Sequence, residues 1–220
     1  YYIGSGVAGH QISHSMGVEI DLLVAKNLTS VSTWRIANSS VGIGSEIMNL
    51  NGAVASSTAG NNFGTPTVDY IVVNAGAYQI DSNSLNQEYI SYYKCKSETF
   101  TIGTYQGTGV AGNFVETKDV NGVARRPARV IIKAISAVGN WRVFDYIRDN
   151  GAIELNLSNA EETGYNYISY NSNGFTLDTT VSTDTNGANT QYLYLVEFDT
   201  DSTGSTGSYF DMATDTTNLQ

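Results

Sequence analysis

The sequence predicts an all-β protein built as two tandem antiparallel β-sandwich units, jelly-roll or lectin-like, that arise from an internal duplication. The first of three supporting observations is a stretch that occurs twice: Tyr2-Ile3-Gly4-Ser5-Gly6-Val7-Ala8-Gly9 returns as Tyr105-Gln106-Gly107-Thr108-Gly109-Val110-Ala111-Gly112, with two positions changed. The second is a train of further correspondences in the same order. Ile20–Lys26 answers Pro127–Lys133, and eight residues past each Lys stands Trp34-Arg35-Ile36 or Trp141-Arg142-Val143. Met48–Asn51 resembles Ile153–Asn156, and Tyr89–Tyr92 matches Tyr192–Leu195. Tyr2 to Tyr89 and Tyr105 to Tyr192 both span 87 residues, although the internal spacings differ, as happens where loops vary and paired strands do not. The third is local: short aliphatic or alternating runs, bounded by Gly and Asn, with no sustained helical period.

The boundaries that follow are 1–98 for the first unit, 99–198 for the second, and 199–220 for a polar linker or C-terminal extension. In the first unit, His10–His14 alternates and Ser15-Met16-Gly17 turns. Val18–Lys26 and Val31–Ile36 read as strands, as do Val68–Val73 and Glu88–Lys94. Gly42-Ile43-Gly44, Asn51-Gly52 and Gly60-Asn61-Asn62 are turn signals. In the second unit, Phe100–Tyr105 leads into the glycine-rich repeat, Arg129–Ala134 is the central buried strand, and Trp141–Asp145 continues the sheet. Asn173-Gly174 turns into Phe175-Thr176-Leu177. Gln191–Phe198 is a long alternating strand, with Tyr192, Tyr194 and Val196 on one face and Leu193, Leu195 and Phe198 on the other. From Asp199 the composition shifts to Asp, Ser, Thr and Gly, and the stretch to Gln220 is expected to pack on a neighbour or open a further module.

Composition narrows the function classes. The formal charge is −10 over 220 residues, and after Arg148 eleven Asp and Glu follow with no Lys or Arg. Nucleic-acid binding needs a basic footprint, which this chain lacks, and anionic membranes are excluded on the same ground. No run approaches the ~20 apolar residues of a membrane-spanning helix. Cys95 is the single cysteine, so no internal disulfide forms, which suits assembly in a reducing cytoplasm. A first residue other than Met is expected of a processed chain or of one segment of a longer polypeptide.

The second unit resembles a repeat found in structural proteins of tailed-phage virions, of the tail and tail-fibre type. The resemblance is carried by Pro127, Lys133, Trp141, Asp145, Arg148, Asn156, Ala160, Glu161, Gly174, Phe175 and Leu177. The first unit looks like a diverged copy. It departs from the pattern at Asn38, where the pattern has Asp, at Val41, where it has Arg, and at Gly76-Ala77-Tyr78. The resemblance implies a virion structural protein without enzymatic activity, assembled in the host cytoplasm. Its implied partners are copies of itself and other virion proteins, with a host surface glycan as a further candidate. A tail fibre or appendage is the leading expectation; capsid decoration, a carbohydrate-binding module and a polysaccharide depolymerase are the alternatives.

No catalytic constellation, cofactor site or metal site is predicted. His10 and His14 share a strand face but lack a third ligand nearby in sequence. Asp184-Thr185-Asn186-Gly187 resembles part of a calcium loop, yet the twelfth position would be Leu193, where a bidentate Glu belongs. Glu161 and Glu162 are adjacent, whereas acid/base pairs of glycosidases come from separate strands. Cys95 has no neighbour that would activate it as a nucleophile. The repeated Gly-x-Gly precedes a strand, so it offers no helix amides to phosphate. Trp34, Trp141, Arg35 and Arg142 remain as candidates for a glycan or partner contact, against the plainer reading of the tryptophans as core residues.

Overall fold

The computed structural model describes residues 1–44, 47–57, 62–75, 79–148, 151–178 and 183–199. The predicted extension is therefore described only at Asp199, and 200–220 lie outside the described residues. The Gly76-Ala77-Tyr78 departure and part of the Gly60–Asn62 turn lie outside them too.

Strands account for nearly all regular structure, and all pairings are antiparallel, as expected of short β-branched and aromatic runs separated by Gly and Asn turns. Residues 1–94 form β1 (Tyr2–Ile3), β2 (His10–Ser13), β3 (Leu22–Asn27), β4 (Arg35–Asn38), β5 (Met48–Asn49), β6 (Tyr70–Val73) and β7 (Glu88–Lys94). A 3-10 turn at Gln79–Asp81 precedes β7. Residues 100–198 form β8 (Phe100–Gln106), β9 (Asn113–Glu116), β10 (Pro127–Ala134), β11 (Arg142–Asp145), β12 (Gly151–Glu154), β13 (Glu162–Thr163), β14 (Ile168–Asn171), β15 (Gly174–Leu177) and β16 (Gln191–Phe198).

The two large sheets repeat one order, β1-β7-β3-β4-β5 and β8-β16-β10-β11-β12-β13. Registers repeat as well: Tyr2 lies opposite Tyr89 and Tyr105 opposite Tyr192. Lys26 lies opposite Ile90 and Lys133 opposite Leu193; Arg35 faces Ala25 and Arg142 faces Ile132. Smaller sheets, β2-β6 and β14-β15-β9, cover one face of each large sheet.

Alternation along the strands sends side chains to two different interiors. Leu23, Ala25 and Tyr89 meet Ile71 and Val73 of the small sheet in one core, while Val130, Ile132 and Val196 meet Phe175 and Leu177 in another. The opposite faces of the two large sheets pack on each other, Ile36 and Met48 against Trp141, Ile135, Leu193 and Leu195. The architecture is thus four sheets deep, with each large sheet buried on both faces.

Several sequence expectations shift. Strand β3 starts at Leu22 rather than Val18, because Val18 is exposed and the chain joins β7 only where the Asp21 amide reaches the carbonyl of Lys94 (2.9 Å). Strand β4 starts at Arg35 rather than Val31, since Asn27 Oδ1 accepts the amides of Thr29 and Ser30 (2.8 Å each) and holds a turn that leaves Val31 in solvent. Phe198 lies with Tyr192, Tyr194 and Val196, not with Leu193 and Leu195, as strict period-two alternation requires.

Candidate functional site

The four residues singled out by sequence go to different places. Trp141 is 1% exposed between the large sheets, and its indole N–H donates to the carbonyl of Asn49 across the junction (2.8 Å). Trp34, at the same place in the strand pattern, is half-buried. Trp141 therefore has no free ring face to stack on a sugar, and Arg35 and Arg142 are buried in ion pairs. Neither arginine is placed to grip an external glycan.

Each arginine instead organises a polar network at the same corner of its sheet. Arg35 Nε and Nη2 reach Asp81 (2.7 and 2.6 Å), and Nη1 donates to Asn49 Oδ1 (2.6 Å). Arg142 reaches Asp184 through Nε and Nη2 (3.1 and 3.0 Å), Glu154 through Nη2 (3.2 Å) and Glu162 through Nη1 (2.7 Å). The Tyr167 hydroxyl donates to Glu162 (2.8 Å), and Asn140 and Asn159 donate to the two oxygens of Glu154 (2.6 and 2.8 Å). Burial alone would disfavour the Arg142 cation; the hydrogen bonds to Glu162 and Asp184 more than offset it, and its pKa lies above the ordinary value. Tyr167 is pushed up to about 12, first by burial and then by the Glu162 carboxylate. The hydrogen bond from Tyr167, with that from Arg142, holds Glu162 below the usual glutamate range.

Lys133 is the residue that sequence reasoning missed. It lies in the strand read as the central buried one, and its own side chain is fully buried. Its ammonium donates to the carbonyls of Ala134 (2.8 Å) and Gly139 (2.9 Å), and across the junction to Ala53 (3.2 Å) and Val54 (2.8 Å). Burial lowers its pKa to about 8, against a partial counter-effect from Asp184. Its counterpart Lys26 makes only local bonds, to Asn27 O (2.8 Å) and Ser32 Oγ (3.2 Å). The available signal was the Lys at the same point of both halves.

The glycine-rich stretches are held alike. Asn83 Oδ1 accepts the amide of Ser5 (2.9 Å) while its Nδ2 donates to Val7 O (2.7 Å); Asn186 does the same for Thr108 (3.0 Å) and Val110 (2.9 Å). The calcium-loop residues are thus engaged internally, Asp184 by Arg142 and Asn186 by this loop. Glu161 and Glu162 bind different arginines, Arg148 (2.7 Å) and Arg142. Asp145 and Arg148 form an ion pair; in the other half Asn38 Oδ1 instead accepts the amides of Ser40 and Val41 (3.1 and 3.2 Å), and Val41 packs between the sheets. His10 and His14 contact Asn83 (3.3 Å) and Thr67 O (3.2 Å) separately. Among the described residues, no three His, Cys, Asp or Glu side chains are grouped to hold a metal ion, and no helix is long and apolar enough to cross a membrane.

Two surface hollows lie among the described residues. One, about 430 Å³, is an open groove lined by Ser13, His14, Ser15, Met16 and Tyr93. The other, about 160 Å³, lies where the large sheets part, beside the Lys94–Glu197 ion pair (2.8 Å).

A family model described as a domain of unknown function, DUF7483, matches residues 1–199. The chain belongs to this family. Among curated proteins and solved structures, none matches the chain. The DUF7483 match thus takes in both large sheets and the whole junction between them.

Proposed function

We propose that this DUF7483 chain is a virion structural protein of a tailed phage, two copies of one sandwich unit fused into a rigid block for a tail fibre or surface appendage. The observation that carries the reading is the repetition of strand order and register, Tyr2 with Tyr89 and Tyr105 with Tyr192, together with the sequence resemblance of the second half to virion repeats. Two copies that bury their broad faces on each other make a stiff body whose turns and small sheets are left for contacts with other proteins. The arginine networks are saturated internally, which suits a scaffold better than a reaction centre. A low charge density with abundant Tyr, Ser, Thr and Asn suits protein or glycan surfaces better than nucleic acid. The burial of Trp141 weighs against a carbohydrate-binding module built on that tryptophan, and neither of the two hollows described above is lined by the carboxylate pair that a depolymerase needs.

The test is a purified particle. Antibody against the chain should decorate intact virions along the tail or on the shell, and the density there should show the chain contacting copies of itself. A chain that stays in the lysate supernatant, absent from banded particles, overturns the reading.

A further inference from the structure

Two cross-strand pairs occupy the same place in the two large sheets and face each other. Leu22 lies opposite Lys94 in one sheet, and Arg129 opposite Glu197 in the other. Counted from the Tyr89–Tyr192 and Lys26–Lys133 matches, Lys94 answers Glu197 and Leu22 answers Arg129. Between the two pairs lies the hollow of about 160 Å³, which Phe100, Ile131 and Leu195 help to line.

The pairs differ in charge. Lys94 Nζ and Arg129 Nη1 each donate to Glu197 at 2.8 Å, one to each carboxylate oxygen. The Lys94 ammonium also lies over the Phe100 ring, 4.2 Å from its centroid. Two cations thus share one carboxylate, an excess of one positive charge at this mouth in a chain whose net charge is −10. Among the described residues, neither cation is paired with a second carboxylate. Each gives Glu197 one donor and has others to offer, since an ammonium carries three N–H and a guanidinium five. The side chains of Lys94 and Glu197 are 42% exposed and that of Arg129 52%, and ion pairs this exposed rearrange at little cost.

Beneath the charges the walls are apolar. Leu195 and Phe100 are buried, and Leu22 and Ile131 pack against the same junction core. A few convergent polar groups above an apolar cleft are the usual make-up of a small-molecule site. Water occupies about 30 Å³ per molecule in the liquid, so the hollow has room for about five such groups, the bulk of a short carbon chain. A cationic ligand would have to compete for Glu197, whose two oxygens are both engaged. An inorganic anion would satisfy the cations but leave the apolar walls wet.

We infer that this hollow binds a short aliphatic monocarboxylate. The carboxylate lies between Lys94 and Arg129, and the tail lies on Leu22, Ile131 and Leu195. Because Lys94 and Leu22 come from one half and Arg129, Ile131 and Leu195 from the other, the bound ligand braces the junction. This inference stands apart from the virion reading, since it concerns the isolated chain.

The experiment titrates pentanoate into the full chain at neutral pH, with pentan-1-ol as the uncharged ligand of equal length. Pentanoate should shift the methyl resonances of Leu22, Ile131 and Leu195 saturably, with a Kd of about a millimolar, the range open to so small a ligand. Pentan-1-ol should bind about ten-fold more weakly. Arg129→Gln, at an exposed position, should weaken pentanoate about ten-fold and leave pentan-1-ol as it was. Ile131→Phe, which fills the hollow, should abolish the shifts for both. The inference is overturned if pentanoate gives no saturable shift at these methyls, or if the alcohol binds the native chain as tightly as the carboxylate. Undiminished pentanoate binding in either variant overturns it as well.

Discussion

Trp141 and Asn49 lie 92 positions apart, and the indole N–H of the first donates to the backbone carbonyl of the second at 2.8 Å. The bond is made at the centre of the junction between the large sheets, where the ring is surrounded by apolar side chains from both halves. A buried carbonyl stripped of its donor is costly, and so is the cavity left by a missing indole. Trp141→Phe should therefore lose about 1–3 kcal/mol of stability and Trp141→Ala about 3–5 kcal/mol, read from denaturant midpoints. Half-buried Trp34 should cost clearly less on the same substitution, and equal losses would contradict the assigned junction.

Lys133 should make stability pH-dependent on the alkaline side. Its pKa is about 8 in the fold, against 10.5 for the free side chain, so between these values the unfolded chain binds more protons than the folded one. Stability contributed at this site then rises from pH 8 towards 10.5, and the burial cost is fully present below 8. Compared with Lys133→Met, the native chain should gain stability over that window. The buried tyrosines, whose raised pKa values act in the opposite sense above about 10, cancel in the comparison. Parallel pH profiles for the two proteins would show that the ammonium is not desolvated as described.

Arg142 holds three carboxylates, and lysine cannot reproduce its planar fork. Arg142→Lys should destabilise by about 3 kcal/mol, mainly because buried carboxylates lose their partner. On the acid side, Glu162 has a depressed pKa, so it contributes stability above about 4.5 that is lost as pH falls through its folded value. Glu162→Gln should flatten the acid limb of the unfolding profile, a change visible by circular dichroism between pH 6 and 3; an unchanged limb argues against the Arg142–Glu162 bond.

Gly4 and Gly107 admit no side chain. A Cβ at Gly4 would stand 2.1 Å from the carbonyl oxygen of Ser84, and one at Gly107 2.2 Å from that of Gly187. These obstacles are backbone, so Gly4→Ala and Gly107→Ala should each cost at least about 2 kcal/mol. Gly112→Ala meets open space but keeps a φ of 90°, and should cost about 1 kcal/mol. Thermal shifts in the opposite order would refute the close approach.

The long strands were legible in the sequence because Arg129–Ala134 and Gln191–Phe198 carry enough aliphatic and aromatic residues to show a period. Pairs as short as Tyr2–Ile3 or Glu162–Thr163 were not, since two residues have no period and their pairing is decided by tertiary contacts. The repeated motifs aligned Arg35 with Arg142, and each of the two is held in ion pairs, with Asp81 or with Glu154, Glu162 and Asp184. They could not tell that Trp141 is enclosed and Trp34 is not, because that difference depends on which part of each sheet meets the other. The burial of Lys133 was hidden for the same reason: its carbonyl partners at Ala53 and Val54 come from 79 or 80 positions away.

The contact between the broad sheets is heterologous. Trp141 enters it and Trp34 does not; Val41 enters it, while Arg148, at the corresponding place, faces Asp145 and Glu161 instead. A heterologous contact closes into a ring where its rotation allows and otherwise propagates, as long as each unit offers the next a free surface. Here the other face of each large sheet is already covered by a small sheet, β2-β6 or β14-β15-β9, so no further large sheet can stack on it. Any larger assembly of this chain must therefore be built through strand edges, small sheets or turns.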